Sequence, residues 1–137
     1  MPNALIRLVY RSDALIDTAD PEGLIDIYRS SNRNNPRLGI TGGLVATAQK
    51  FMQVLEGRRG PVHALLTAIS TDPRHQGLQL LGELPIQDRL FPEWVMARAD
   101  PSRLVGKNML ILIQTGTAAQ VAGLLVTMVN APPLIVL

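Results

Sequence analysis

The chain opens on an alternation. Ile6, Leu8, Tyr10 and Ser12 share one face, while Leu5, Arg7, Val9 and Arg11 share the other. That period of two predicts a strand over residues 4–11. Asp20-Pro21 then reads as a helix N-cap followed by proline at the first helical position. Leu24, Ile25, Ile27, Tyr28 and Ser31 follow at helical spacing. Asn35-Pro36 ends that helix, because the residue before a proline is pushed out of the helical region. Residues 39–47 and 51–57 read as strands joined by Ala48-Gln49-Lys50, a spacing that favours an antiparallel hairpin. In the second of these, Phe51, Gln53 and Leu55 point one way. A second helix begins near Gly60-Pro61, carries Val62, Leu65, Leu66 and Ile69 on one stripe, and ends near Thr71-Asp72-Pro73. Residues 78–86 and 94–99 are predicted as a fourth and a fifth strand, with Trp94 and Met96 on one face.

The order is strand, helix, strand, strand, helix, strand, strand. Helix-linked strands of one sheet cross over right-handed, so the simplest product is an α+β, ferredoxin-like βαββαββ sheet with both helices on one face. The tail differs. Asp100-Pro101 starts a third helix, with Val105, Met109, Leu112 and Ile113 on one side. Gly116-Thr117 separates it from a fourth, with Val121, Leu124, Leu125 and Met128 on one side, and Pro132-Pro133 stops that. The two stripes are expected to cover the other face of the sheet or a partner's surface. Residues 1–98 form one unit in this reading, and 99–137 a helical extension too short to be an independent effector domain.

Composition narrows the function. At 137 residues, with 47% hydrophobic and 18% charged, the chain is about one domain with a buried core. Its net charge of +2 comes from scattered basic residues, so no nucleic-acid footprint is expected. The absence of cysteine removes disulfides, thiolate nucleophiles, cysteine metal sites and any photochemistry that forms a cysteine adduct. His63 lies mid-helix and His75 stands alone, so metal binding is not expected. No signal-peptide layout or run of the ~20 apolar residues needed for a membrane span is present, which makes the cytoplasm the expected compartment.

Two helices on one face of such a sheet leave a slot over the central strands. By parity Tyr10, Ser12, Phe51 and Gln53 look into it; Asn34 and Asn35 can close one end, and Arg74 and His75 can reach the other. A phenol can lose an electron and a proton together, and a primary amide both donates and accepts. This set is poor for hydrolysis and suited to gating a flat redox-active ring. Singly, each residue has a plainer reading: a strand tyrosine is usually core, a strand glutamine is usually solvated, and Trp94 and Met96 usually pack.

Six segments, in this order and spacing, resemble the successive motifs of the BLUF domains, blue-light sensors using FAD. They are residues 5–12 (LIRLVYRS), 30–36 (SSNRNNP), 39–42 (GITG), 51–57 (FMQVLEG), 72–75 (DPRH) and 91–96 (FPEWVM). The resemblance covers roughly residues 4–98 and the tail resembles that of short, stand-alone members. It implies a flavin between the two helices, held by Tyr10, Ser12, Ile27, Arg33, Asn34, Asn35, Phe51, Gln53, Leu55, Ile69, Asp72, Arg74, His75 and Met96. FAD is the implied form, and the motifs leave FMN open. Tyr10 would give an electron and a proton to the excited ring, and Gln53 would bridge Tyr10 to it. Asn35 would bind its C4=O/N3–H edge, and Trp94 and Met96 would relay the Gln53 rearrangement to the fifth strand. The resulting state would be red-shifted and reversible, and would be passed in trans to an unidentified downstream protein. A homodimer is one way to cover the apolar tail. Gly43, after Gly42, departs from the bulkier residue usual there.

Two rival readings remain. An acylphosphatase-like enzyme shares the fold, but residues 11–18 supply no glycine for a phosphate-cradling loop. A cofactor-free regulatory module would explain the fold and makes Tyr10, Gln53 and Asn35 coincidental. Neither a catalytic acid–base pair nor an activated nucleophile is evident, so an enzyme is not expected.

Overall fold

The computed structural model describes residues 4–98, 117–120 and 122–123. The element order is β1 (Leu5–Ala14), α1 (Pro21–Asn34), a 3₁₀ turn (Pro36–Leu38), β2 (Thr41–Thr47), β3 (Lys50–Arg58), α2 (Arg59–Ser70), β4 (His75–Ile86) and β5 (Trp94–Arg98). The strands form one sheet in the order β4-β1-β3-β2-β5. β1 lies antiparallel between β3 and β4, β2 is antiparallel to β3, and β5 runs parallel to β2. This is the ferredoxin-like α+β arrangement that the hydrophobic pattern predicts.

The helix-side core has two halves. Under α2, Ile6, Leu8, Tyr10, Ile40, Leu55 and Val62 pack together, with Leu65, Leu66, Ile69 and Leu78 against them. Under α1, the cluster is Ala14, Leu24, Ile27, Leu44, Ala46, Phe51 and Trp94, with Ile16 and Tyr28 against it. Each half therefore takes one helix stripe and alternate residues of the strands below. The opposite face is buried too, at Val9, Val45, Met52 and Val54. Ala118 meets Gly82, the Cα partner of Val9 on this face, and Ala122 is buried. The rest of the expected third and fourth helices lies outside the described residues.

Three details depart from the sequence reading. α1 does not stop because proline expels Asn35 from the helical region. Asn35 keeps helical angles (φ −62, ψ −43) with its N–H on the Ser31 carbonyl, and the chain tightens into the 3₁₀ turn, ended by Gly39 at φ 67. Pro36 fits there because the start of a turn needs no N–H. The hairpin turn is two residues, not three: Ala48 (φ 47) and Gln49 (φ 63) are both left-handed, as a type I′ turn requires. Neither is glycine, and Gln49 is held instead by its side chain. Its Oε1 accepts from the Thr18 N–H at 2.8 Å, and its Nε2 donates to the Ile16 carbonyl at 2.8 Å. β4 begins three residues early, at His75, through irregular pairing with β1 near Gly77 (φ 63).

Candidate functional site

A cavity of about 260 Å³ opens between α1 and α2 above the central strands. Its walls are Tyr10, Ile27, Ser30, Ser31, Asn34, Asn35, Leu44, Phe51, Gln53, Leu65, Ala68, Ile69, Asp72, Arg74 and His75. The sheet supplies the floor because Tyr10, Gln53 and Leu44 are consecutive Cα partners across β1, β3 and β2. Alternation makes one row of them on one face. Met96 continues that row in register with Leu44, although its side chain lies outside the described residues.

The Tyr10 hydroxyl donates to Gln53 Oε1 at 2.5 Å, and both residues are buried. This bond fixes the amide, turning its NH₂ end away from the phenol. Burial, and after it the negative charge of Asp72, push the Tyr10 pKa far above the ordinary phenol value of 10.0. The phenol is therefore a proton-bearing donor throughout the neutral range.

Asn35 sits at the end of α1. Its backbone is fully engaged: the N–H donates to Ser31, and its carbonyl accepts from Leu38 and Ile40, both at 3.0 Å. Its side-chain amide, on a residue only 2% exposed, faces the cavity without a hydrogen-bond partner among the described residues. These amide atoms open onto the cavity rather than being sealed in the core, so they offer a ligand a donor and an acceptor side by side.

The opposite end is self-satisfied. Asp72 Oδ1 accepts from the N–H and Nε of Arg74, and Oδ2 accepts from Nη2 at 2.5 Å. The hydrogen bonds from Arg74 hold the Asp72 carboxyl below its usual range, and Asp72 in turn raises the Arg74 guanidinium. His75 places Nε2 at 2.5 Å from the Ile69 carbonyl and Nδ1 at 2.7 Å from Ser12 Oγ. A carbonyl only accepts, so in the neutral ring Nε2 carries the proton and Nδ1 accepts from the serine. The ring stands 6.3 Å from those of Tyr10 and Phe51.

Of the residues expected at a flavin site, Tyr10, Ile27, Asn34, Asn35, Phe51, Gln53, Ile69, Asp72, Arg74 and His75 share this cavity. Ser12, Arg33 and Leu55 do not line it. Ser12 is buried behind His75, Arg33 is exposed at the last turn of α1, and Leu55 packs in the core under α2. Trp94 is buried against α1, its ring 6.1 Å from that of Tyr28, with Nε1 unpaired among the described residues. Sequence reasoning missed Ser30, Ser31, Leu44, Leu65 and Ala68. The signal was present: Ser30 and Ser31 lie one turn from Ile27 and Asn34, Leu65 and Ala68 one turn from Ile69 and Asp72, and Leu44 opposite Gln53.

Comparisons with known proteins point the same way. The family model "BLUF: Sensors of blue-light using FAD" matches residues 5–97. The chain is 37% identical over 79 residues to a photoactivated adenylate cyclase subunit beta of Euglena longa, a stretch that is 57% of this chain and 9% of that protein. It is similar to the dark-state structure of BlrB, a BLUF protein, at a TM-score of 0.75 and 32% identity, over 93% of this chain and 96% of that one. A bacterial light-regulated adenylyl cyclase gives a TM-score of 0.67 at 32% identity, over 85% of this chain and 34% of the cyclase.

Proposed function

The chain belongs to the BLUF family of flavin-binding blue-light sensors, and from that premise we propose that Tyr10 and Gln53 form its photoactive pair and that its output is a protein contact rather than catalytic turnover. The observation that carries this reading is one cavity holding both a short Tyr10–Gln53 hydrogen bond and the Asn35 amide, which has no partner among the described residues.

The donor set fits a flavin. Asn35 would hold the paired C=O and N–H edge of the ring, with Gln53 and Tyr10 along the same side. Ile27, Leu44, Phe51, Leu65 and Ile69 supply apolar walls for its faces. Asp72, Arg74 and His75 would flank the remainder. On absorbing blue light, bound flavin supplies a strong one-electron oxidant. Tyr10 is placed to answer it: the phenol would give its electron to the ring and its proton across the bond to Gln53 Oε1, the amide passing a proton on to the ring that holds the electron. Electron and proton later return, and the phenol is restored. The Gln53 amide settles meanwhile into a different hydrogen-bonding pattern, which is the red-shifted state. Because no covalent bond to the protein forms, a chain without cysteine suffices.

Output would run along the row Gln53–Leu44–Met96 to β5 and into residues 99–137, which we assign as an extension of the flavin unit at 1–98. A downstream protein, or a second copy of the chain, would read it there. Among the described residues no helix is long and apolar enough to cross a membrane. The test is the absorption spectrum of the purified protein before and after blue light. A yellow protein with a small reversible red shift is expected. A colourless protein that cannot be loaded with FAD or FMN would return the reading to a cofactor-free regulatory module.

A further inference from the structure

Residues 87–93 carry the chain from one edge strand of the sheet, β4, to the other, β5. This crossover is tied down at its middle. Glu56 of β3 is fully buried, and its carboxylate accepts from the N–H groups of Leu90 (2.9 Å) and Phe91 (2.8 Å) and from Arg7 Nε (2.8 Å). Arg89 reaches across to the turn that precedes β2. Its Nη1 donates to Thr41 Oγ1 (2.8 Å) and the Glu56 carbonyl (3.0 Å), and its Nη2 to the Gly39 carbonyl (2.8 Å). Phe91 is 1% exposed, and the Gly42 N–H donates to the Glu93 carbonyl.

The other end of this turn is Asn35, whose carbonyl accepts from Leu38 and Ile40. The amide facing the cavity is thus one hydrogen-bonded turn away from the carbonyl that Arg89 grips. Neither Arg89 nor Glu56 lines the cavity. A planar guanidinium bound to three oxygens on two segments cannot follow one and leave the other without losing a bond. We propose that Arg89 is a positioning residue that locks the Asn35 turn to the β4–β5 crossover, so that flavin engagement at Asn35 is felt in residues 87–93. This rests on the flavin reading above and gives β5 a second input, separate from the Gln53–Leu44–Met96 row. Coupling of this kind needs both sites to bias one shared element, and the crossover is that element.

The test compares amide hydrogen exchange of residues 87–93 in flavin-free and flavin-loaded protein, for wild type, Arg89→Gln and Thr41→Val. In wild type, loading is expected to slow exchange there at least threefold. In Arg89→Gln the loaded-to-free ratio should fall below 1.5-fold while the light-induced red shift persists, and Thr41→Val should lie between. A purely structural role would speed exchange in both states and leave the ratio at the wild-type value, and that result overturns the proposal. So does a wild type whose crossover does not respond to loading. If Arg89→Gln fails to fold, Thr41→Val decides, an unchanged ratio again counting against the coupling. A wild type that takes up no flavin, or shows no red shift, sinks the flavin reading instead.

Discussion

At the Asp72 end of the cavity the polar side chains already have partners: Asp72 with Arg74, and His75 with Ser12 and Ile69. At the Asn35 end the amide has none among the described residues. Between them, Tyr10 and Gln53 share one bond, which uses the Gln53 oxygen and leaves its NH₂ without a partner among the described residues. One end is scaffold, complete without a ligand. The other offers an open donor and acceptor that a ligand can engage. Under the proposed function such a pocket would bind by one end and keep its shape by the other, with the Tyr10–Gln53 pair between.

Substitutions along the cavity should therefore differ in kind. The largest effect is expected at the centre. Tyr10→Phe should abolish the red shift while leaving flavin bound, because the ring's packing stays and only the donor is lost; a normal photocycle in that variant would defeat the assignment. Gln53→Leu should likewise remove the shift, read from the light-minus-dark difference spectrum. Next comes the open end. Asn35→Ala should weaken flavin binding on the order of 10- to 100-fold, the equivalent of losing about 1–3 kcal/mol of matched amide bonding, as titrated by fluorescence quenching. At the scaffold end, Asp72→Asn should cost less than about tenfold in affinity, since the pair it breaks is partly exposed and solvent-screened. A loss there equal to that of Asn35→Ala would erase the contrast between the two ends.

The smallest effect is one of pH. Tyr10 has a folded pKa raised above 10.0, its unfolded value. Its contribution to stability is therefore fully present below about pH 10 and is lost as pH rises from there toward the folded value. Denaturant titrations between pH 9 and 11 should show wild type losing more stability than Tyr10→Phe. Parallel losses would mean the phenol is not held neutral by burial.

The sequence determined much of this by local rules. Alternation placed Ile6, Leu8 and Tyr10 on the helix-facing side of β1, and the spacing of Ile27 and Asn34 put them on one side of α1. The Asp20 cap appears as expected, its Oδ1 accepting from the Glu22 N–H. These depend on periods of 2 and 3.6 residues and on nearest-neighbour chemistry, so they can be read along one line of text. The partnerships could not. That Gln53 faces Tyr10 is set by the β1–β3 register, and that Glu56 holds Leu90 and Phe91 by a crossover 34 and 35 residues away. Nothing local marks Glu56 as buried. Nor does parity tell Leu55, packed under α2, from Gln53, two residues earlier on the same face, which meets open space. Which residue reaches a cavity and which fills a core depends on where two helices part, a distance only the assembled fold decides.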